Sequence, residues 1–245
     1  AIVLGAATVT GTYAVTAGGA VTNSGTQEIT GITTISASGY NVTLDETTNN
    51  FAAAVKITGA VVTVVDENAI NLGASTVTGT YHVTATAGDI TNTGALIITG
   101  ASTFVGSSGS NIVLGDDGNR FSNSVTMKAG TSGNQVFGNI GFFDGGAVVI
   151  QTKAGTNADG ELLIDGSTDG VVGGTLSIKA NGDITQNIDL AVAGTTTLEA
   201  GSNAITLNRP DNNFSTVIIT SGGDVAITDT NAIVLGAATV TGTYH

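Results

Sequence analysis

The sequence predicts an all-β chain wound as a right-handed parallel β-helix (a β-solenoid) of about ten coils, and three observations predict it. The string AIVLGAATVTGTY at residues 1–13 returns unchanged at 232–244 and nearly unchanged, as AINLGASTVTGTY, at 69–81. Changes between the copies fall with a period of two, the period of a strand. The composition, 36 Gly against one Pro and only 10% charged residues amid abundant Thr, Val, Ala and Ile, favours strands and corners over helix.

The copies also assign a facing to each position, because an outward residue can change polarity while an inward one cannot. Val3, Asn71 and Val234 share one position and face out, whereas Ile2/Ile70/Ile233 and Leu4/Leu72/Leu235 stay apolar and face the core. Val9, Val77 and Val240 repeat as core positions in the next strand. Ala14 and His82 share a position between Tyr13/Tyr81 and Val15/Val83, so His82, like its counterpart His245, belongs on the outer face. The same alternation makes Val42/Leu44, Val62/Val64, Ile112/Leu114 and Ile205/Leu207 inward pairs.

Glycines mark the coils. Gly11, Gly31, Gly59, Gly79 and Gly100 are 20, 28, 20 and 21 residues apart, and the series continues through Gly130, Gly155, Gly173, Gly194, Gly222 and Gly242. A unit near 20 residues cannot bury its own apolar face, so each coil needs one above and one below. These glycines are expected to supply corners of positive φ, with Asn41, Asn68, Asn111, Asn203 and Asn231 supplying others and stacking as ladders. Three coils then make a period of 68 residues, from Gly11 to Gly79, and the offset of 231 between the outer copies predicts that they occupy one position an axial period apart.

Each long coil holds a Phe after polar residues: Asn49-Asn50-Phe51, Asn119-Arg120-Phe121 and Asn212-Asn213-Phe214. Phe51, Phe121 and Phe214 are assigned to the core, against an alternative in which they anchor outward loops. An insertion at about 131–172 is read as one additional coil plus a Gly-rich loop, with strand-like pieces at 148–153 and 161–164. Within it Phe137, Phe142 and Phe143 cluster beside Asp144-Gly145-Gly146; they are either core around a turn or a candidate interaction patch. The whole of 1–245 reads as a single β-helix segment. No charged leader or membrane-length apolar run opens it, and both ends fall inside one repeat, so a piece of a longer array is expected.

The chemistry that β-helices often carry is not assembled in the string. Six basic residues against 19 acidic ones give a net charge of -13, which repels phosphate backbones and anionic lipid, so neither nucleic acid nor membrane insertion is expected. Polysaccharide cleavage needs paired carboxylates, or a calcium cluster beside a base. Asp116-Asp117 near Arg120 is the one pair with a nearby cation, and it lies in a turn-forming string. Asp165 to Gly170 offers oxygen ligands for calcium but lacks a terminal bidentate Glu. The chain has no Cys, and its two histidines are surface positions. No catalytic, cofactor or metal residue is therefore assigned. Thr-x-Thr pairs at Thr8/Thr10, Thr76/Thr78 and Thr239/Thr241 raise an ice-binding face, but the pair skips coils where a lattice needs it in each.

The strings TVTGTYHVTATAGDITNTGALIITG, TLSIKANGDITQN and SGSNIVLGDDGNRF resemble the β-helical repeats of filamentous-haemagglutinin-type secreted adhesins and similar giant bacterial surface exoproteins. The resemblance is one of repeat style across the chain and transfers no functional residue. It implies an extracellular stalk or filament on the bacterial cell surface, not an enzyme and without cofactors. The implied partners are copies of itself or adjacent repeats end to end, with host or cell-surface glycans or proteins as possible ligands. The alternative is a carbohydrate-binding or polysaccharide-cleaving β-helix, and the third reading is an ice-binding solenoid.

Overall fold

The computed structural model describes residues 1–130, 136–151, 161–165 and 168–245, which form 30 strands and no helix. Turn one carries β1 (Ile2–Leu4), β2 (Ala7–Val9) and β3 (Tyr13–Thr16), and turn two β4 (Val21–Asn23), β5 (Gln27–Ile29) and β6 (Thr33–Ser36). Turn three has β7 (Val42–Leu44), β8 (Asn50–Phe51) and β9 (Val55–Gly59), and turn four β10 (Val62–Asp66), β11 (Ile70–Leu72) and β12 (Ser75–Val77). Next come β13 (Tyr81–Ala85), β14 (Ile90–Asn92) and β15 (Leu96–Ile98), then β16 (Ser102–Gly106), β17 (Ile112–Leu114) and β18 (Arg120–Phe121). β19 (Val125–Ala129) precedes the insertion, which holds β20 (Ile140–Asp144), β21 (Val148–Gln151), β22 (Glu161–Asp165) and β23 (Val171–Val172). Beyond it run β24 (Leu176–Ala180), β25 (Ile184–Gln186), β26 (Ala191–Glu199), β27 (Ile205–Leu207), β28 (Asn213–Gly222), β29 (Val225–Ile227) and β30 (Val234–Val240).

Neighbouring strands are parallel, as a solenoid requires, and the chain is a β-solenoid of about 11 turns. Corner-to-corner counting gave about ten because it leaves out the strands before Gly11. Two walls face each other across the core. The first is a 12-stranded sheet, β1-β4-β7-β10-β13-β16-β19-β22-β21-β25-β27-β29. The second is a continuous ladder through β3, β6, β9, β11, β14, β17, β20, β24, β26, β28 and β30.

A short third face joins the walls, and it changes sides. In turns one to three it is the sheet β2-β5-β8, met on leaving the first wall. In turns four to six it is β12-β15-β18, met on leaving the second. The first part of β26 and β28, with β23, restores the original side. The cause lies in the unit length. The 68-residue repeat contains ten strands, β1 to β10, which is three turns and one wall more, so the copy of β1 that follows, β11, starts in the opposite wall. This corrects the expected three-coil period. It also corrects the expected axial equivalence of the outer copies, since β1 stands in the first wall and β30 in the second.

Burial follows the alternation. Val42, Leu44, Val62, Val64, Ile112, Leu114, Ile205 and Leu207 are all buried, as are Leu4, Ile70, Leu72 and Val77. Ile2, Val9, Ile233 and Val240 are only partly buried and Leu235 is 56% exposed, because the outermost turns have a neighbour on one side only. The corner glycines differ from expectation too. Of the ten that lie among the described residues, only Gly130 has positive φ. Most of the others serve close stacking, Gly11 in the first turn excepted: a Cβ on Gly194 would lie 2.7 Å from the Gly174 carbonyl oxygen, and one on Gly31 would collide with the Gly11 carbonyl.

Candidate functional site

The three long coils build one polar arrangement three times. Each begins as Leu-x-x-x-x-Asn-x-Phe, and the loop between Leu and Asn closes with a turn in which the Asn N–H donates to a carbonyl three residues back: Asn49 to Glu46, Asn119 to Asp116, Asn212 to Arg209. The Asn side chain then turns inward, buried to 0–1% exposure. Its Nδ2 donates to the Leu carbonyl, at 3.2 Å for Asn49–Leu44 and 3.1 Å for both Asn119–Leu114 and Asn212–Leu207. Its Oδ1 accepts the backbone N–H of Gln27, Leu96 or Leu190 in the preceding coil, at 2.9 Å in each case. A side-chain amide of that coil, from Asn23, Asn92 or Gln186, donates to the same oxygen at 2.9, 2.9 and 2.7 Å. One buried amide thus ties two coils where the third face runs out, and every strong donor around it finds an acceptor.

An aspartate from the following coil closes the arrangement. Asp66, Asp144 and Asp229 accept the N–H of Phe51, Phe121 and Phe214 at 2.8, 3.1 and 2.7 Å. The carboxylate caps the short third-face strand, which has no strand stacked beyond it at that level. Asp66 is fully buried and also accepts the Asn68 N–H at 2.8 Å; burial pushes its pKa up to about 6 against the pull of these two donors. Phe51, Phe121 and Phe214 are 1–2% exposed and belong to the core. Sequence reading found these Phe residues but missed the roles of the Asn and Asp. The repeated Leu-x-x-x-x-Asn-x-Phe spacing was the available signal.

Phe137, Phe142 and Phe143 do not form a surface patch, being only 1–3% exposed. Phe142 stacks on Phe121 with centroids 5.4 Å apart, in line with edge-on contacts from Phe121 to Phe104 and Phe104 to Tyr81. The insertion therefore extends an aromatic column inside the core, where these rings contribute more than a solvated patch can. Phe143 points the other way and lies 5.5 Å beneath the Lys179 ammonium. Lys179 also reaches Asp117 at 2.9 Å and Glu199 at 3.3 Å, and the hydrogen bond with Asp117 leads the causes that raise its pKa.

The carboxylate pair is separated in role. Asp117 engages Lys179, while Asp116 accepts the Gly118 N–H at 2.9 Å within the turn. The Arg120 side chain instead lies against Gly145, where a Cβ would come 2.7 Å from its Nη1. His82 sits half-buried on the outer face, 3.3 Å from Thr84 Oγ1; burial and then the Lys128 charge lower its pKa. His245 is exposed. Part of the Asp165–Gly170 turn, and all of 152–153 and Gly155, lie outside the described residues. Among the described residues no three His, Asp or Glu side chains group to hold a metal ion. A cleft of 640 Å³ is lined by Asp169, Asn187, Asp189, Arg209 and Asp211, and Arg209 Nε is committed to Asp189 at 2.7 Å. The expected Asn ladder at the corners is discontinuous: Asn139 follows Asn111, whose neighbour on the other side is Asp89.

An apolar surface remains open on the turn of β29 and β30, where Ile227, Ile233, Leu235 and Tyr244 line a pocket of 240 Å³. The equivalent surface inside the chain, on β11 and β12, is covered by β14 and β15.

Three segments of the chain, residues 1–58, 58–128 and 145–221, match the model of a family described as repeats of unknown function (DUF5649). Each segment ends shortly after one of the Phe residues held by these Asn and Asp side chains: in β9 after Phe51, in β19 after Phe121, and within β28, which itself carries Phe214. No curated protein and no solved structure matches the chain.

Proposed function

Since the chain belongs to this family of repeats of unknown function, we propose that it is a structural segment of an extracellular bacterial adhesin or cell-surface filament, acting as a stiff stalk by axial stacking of β-coils. The observation that carries this reading is the continuity of both walls through three repeat units, so that the units share one core and one hydrogen-bonded ladder instead of being joined by linkers. A ladder of parallel strands resists bending and stretching along its axis because every coil is held by its neighbours. The resemblance of the repeats to filamentous-haemagglutinin-type adhesins supports the extracellular setting, and the net charge of -13 fits a rod that stays soluble and apart from anionic surfaces. The partner is a further repeat unit or a second copy, seated on the apolar surface of β29 and β30 as β14 and β15 seat on β11 and β12.

Chains carrying one, two and three tandem copies of the sequence test this by electron microscopy. The expected result is particles of constant width whose length grows by about 50 Å per copy, eleven turns at about 4.8 Å each. Lengths that fail to scale overturn the stalk. The same preparations should cleave no acidic or neutral polysaccharide; turnover that disappears in the double variant Asp116→Asn/Asp117→Asn would instead make the chain an enzyme.

A further inference from the structure

The two walls do not contain the same number of strands. The first has 12. The second-wall ladder has one fewer, and the difference is β22. On the second wall β20 bonds directly to β24 through the register Ile140↔Leu176 to Asp144↔Ala180. On the short side, the Gly173 and Gly174 N–H groups donate to the Phe137 and Gly138 carbonyls at 3.1 and 2.9 Å. Neither position holds an added level. On the first wall alone β22 lies between β19 and β21, parallel to both, although it follows β21 in the chain. The insertion is therefore not a full coil. It is one strand slipped backwards into a wall that already had its regular complement.

The register sharpens the point. Leu162 pairs with Val125 on one side and with Ile150 on the other. Without β22, Val125 would stand opposite Ile150 and Thr126 opposite Gln151, so inward residues meet inward residues and the ladder closes with no slip of face. The loop arithmetic agrees: joining Gln151 to Thr168 leaves Thr168, Asp169 and Gly170 before β23, as Ser24, Gly25 and Thr26 stand between β4 and β5.

We propose that β22 is a removable wedge that bends the solenoid axis away from the 12-stranded wall. One extra strand spacing of about 4.8 Å on one side of a core about 10 Å thick tilts the axis by roughly 25°. Leu162 and Ile164 fill the core side of the wedge and Leu163, on the opposite face, is 5% exposed, so the strand is held while both neighbouring strands remain complementary to each other. The stalk accordingly has an elbow between β19 and β21.

Spin labels read the wedge directly, because the chain has no cysteine of its own. Labels at Thr63→Cys and Asn187→Cys span the first wall along Thr63, His82, Thr103, Thr126, Leu163, Gln151 and Asn187. Labels at Asn71→Cys and Thr197→Cys span the same turns of the second wall. The expected separation is about 5 Å greater on the first wall. A variant lacking residues 152–167 should fold cooperatively and bring the two separations together. Equal separations in the full chain overturn the wedge whatever the variant does. A deleted chain that does not fold, beside unequal separations in the full chain, overturns its removability.

Discussion

Asp66 is the residue whose ionisation the fold opposes most clearly. Its carboxyl titrates near pH 6 in the folded chain, against 3.8 for an unhindered aspartate, because it is fully buried. Raised in the native state, it binds a proton that the unfolded chain has already lost between these values. Its contribution to stability is therefore complete below about pH 4 and is lost as pH rises through about 6. The whole shift corresponds to about 3 kcal/mol, of which about 2 fall between pH 4.5 and 7. Denaturant unfolding of the native chain and of Asp66→Asn at those two pH values should show that difference in slope; identical pH dependence would remove Asp66 from the account. Facing is tested beside it. Leu72→Asp places a charge at a position of 0% exposure and should abolish cooperative folding, whereas His82→Ala, on the outer face, should shift stability by no more than about 0.5 kcal/mol. Thermal melts that rank the two in the opposite order would reverse the assignment. This level was legible because three imperfect copies reveal which residues tolerate polarity: Val3 becoming Asn71 marks one face as outward. The buried Asn49, Asn119 and Asn212 were not legible, since an invariant Asn in a polar loop looks the same whether it faces water or seals two coils.

Between residues and the rod stand the clasps that end each short third face. Asn119→Ala leaves the Leu96 N–H, the Asn92 amide and the Leu114 carbonyl without their partner in a buried site, which should cost about 2–4 kcal/mol. The neighbouring Arg120→Ala, on an exposed side chain, should cost less than about 1 kcal/mol. Because the geometry recurs within a few tenths of an ångström, Asn49→Ala and Asn212→Ala should show losses of similar size; a wide spread among the three in chemical denaturation would mean that the clasps are not equivalent. The glycines teach a related lesson. Their spacing gave nearly the right number of coils, yet among the described corner glycines the inferred reason, positive φ, holds at Gly130 alone, and close approach of one coil to the next explains most of the others. The insertion was legible as extra length but not as a strand out of order, because sequence order carries no record of a chain that doubles back one level.

At the scale of the molecule, the repeat and the turn are incommensurate. Ten strands in the first unit against two walls and one short face carry the second copy into the opposite wall, and AIVLGAATVTGTY meets the first wall at one end of the chain and the second at the other. The string predicts stacking, but only the strand count fixes the rotation, and an error of one strand per unit is invisible in residue spacings. Rotation matters for how rods join. A partner that covers β29 and β30 must present its own walls turned to match, as β14 and β15 do on β11 and β12. Leu235, 56% exposed in this turn, separates folding from joining. Leu235→Asp removes little burial within one chain, so its melting temperature should stay within about 2 °C of the native chain. On the open surface, however, a charge would be buried without a partner by any incoming coil, which costs several kcal/mol. Sedimentation and electron microscopy at high concentration should then show end-to-end association of the native chain and its loss in Leu235→Asp. Association that survives this substitution would place the contact elsewhere, and a native chain that stays monomeric throughout would mean that stacking requires covalent continuity between units.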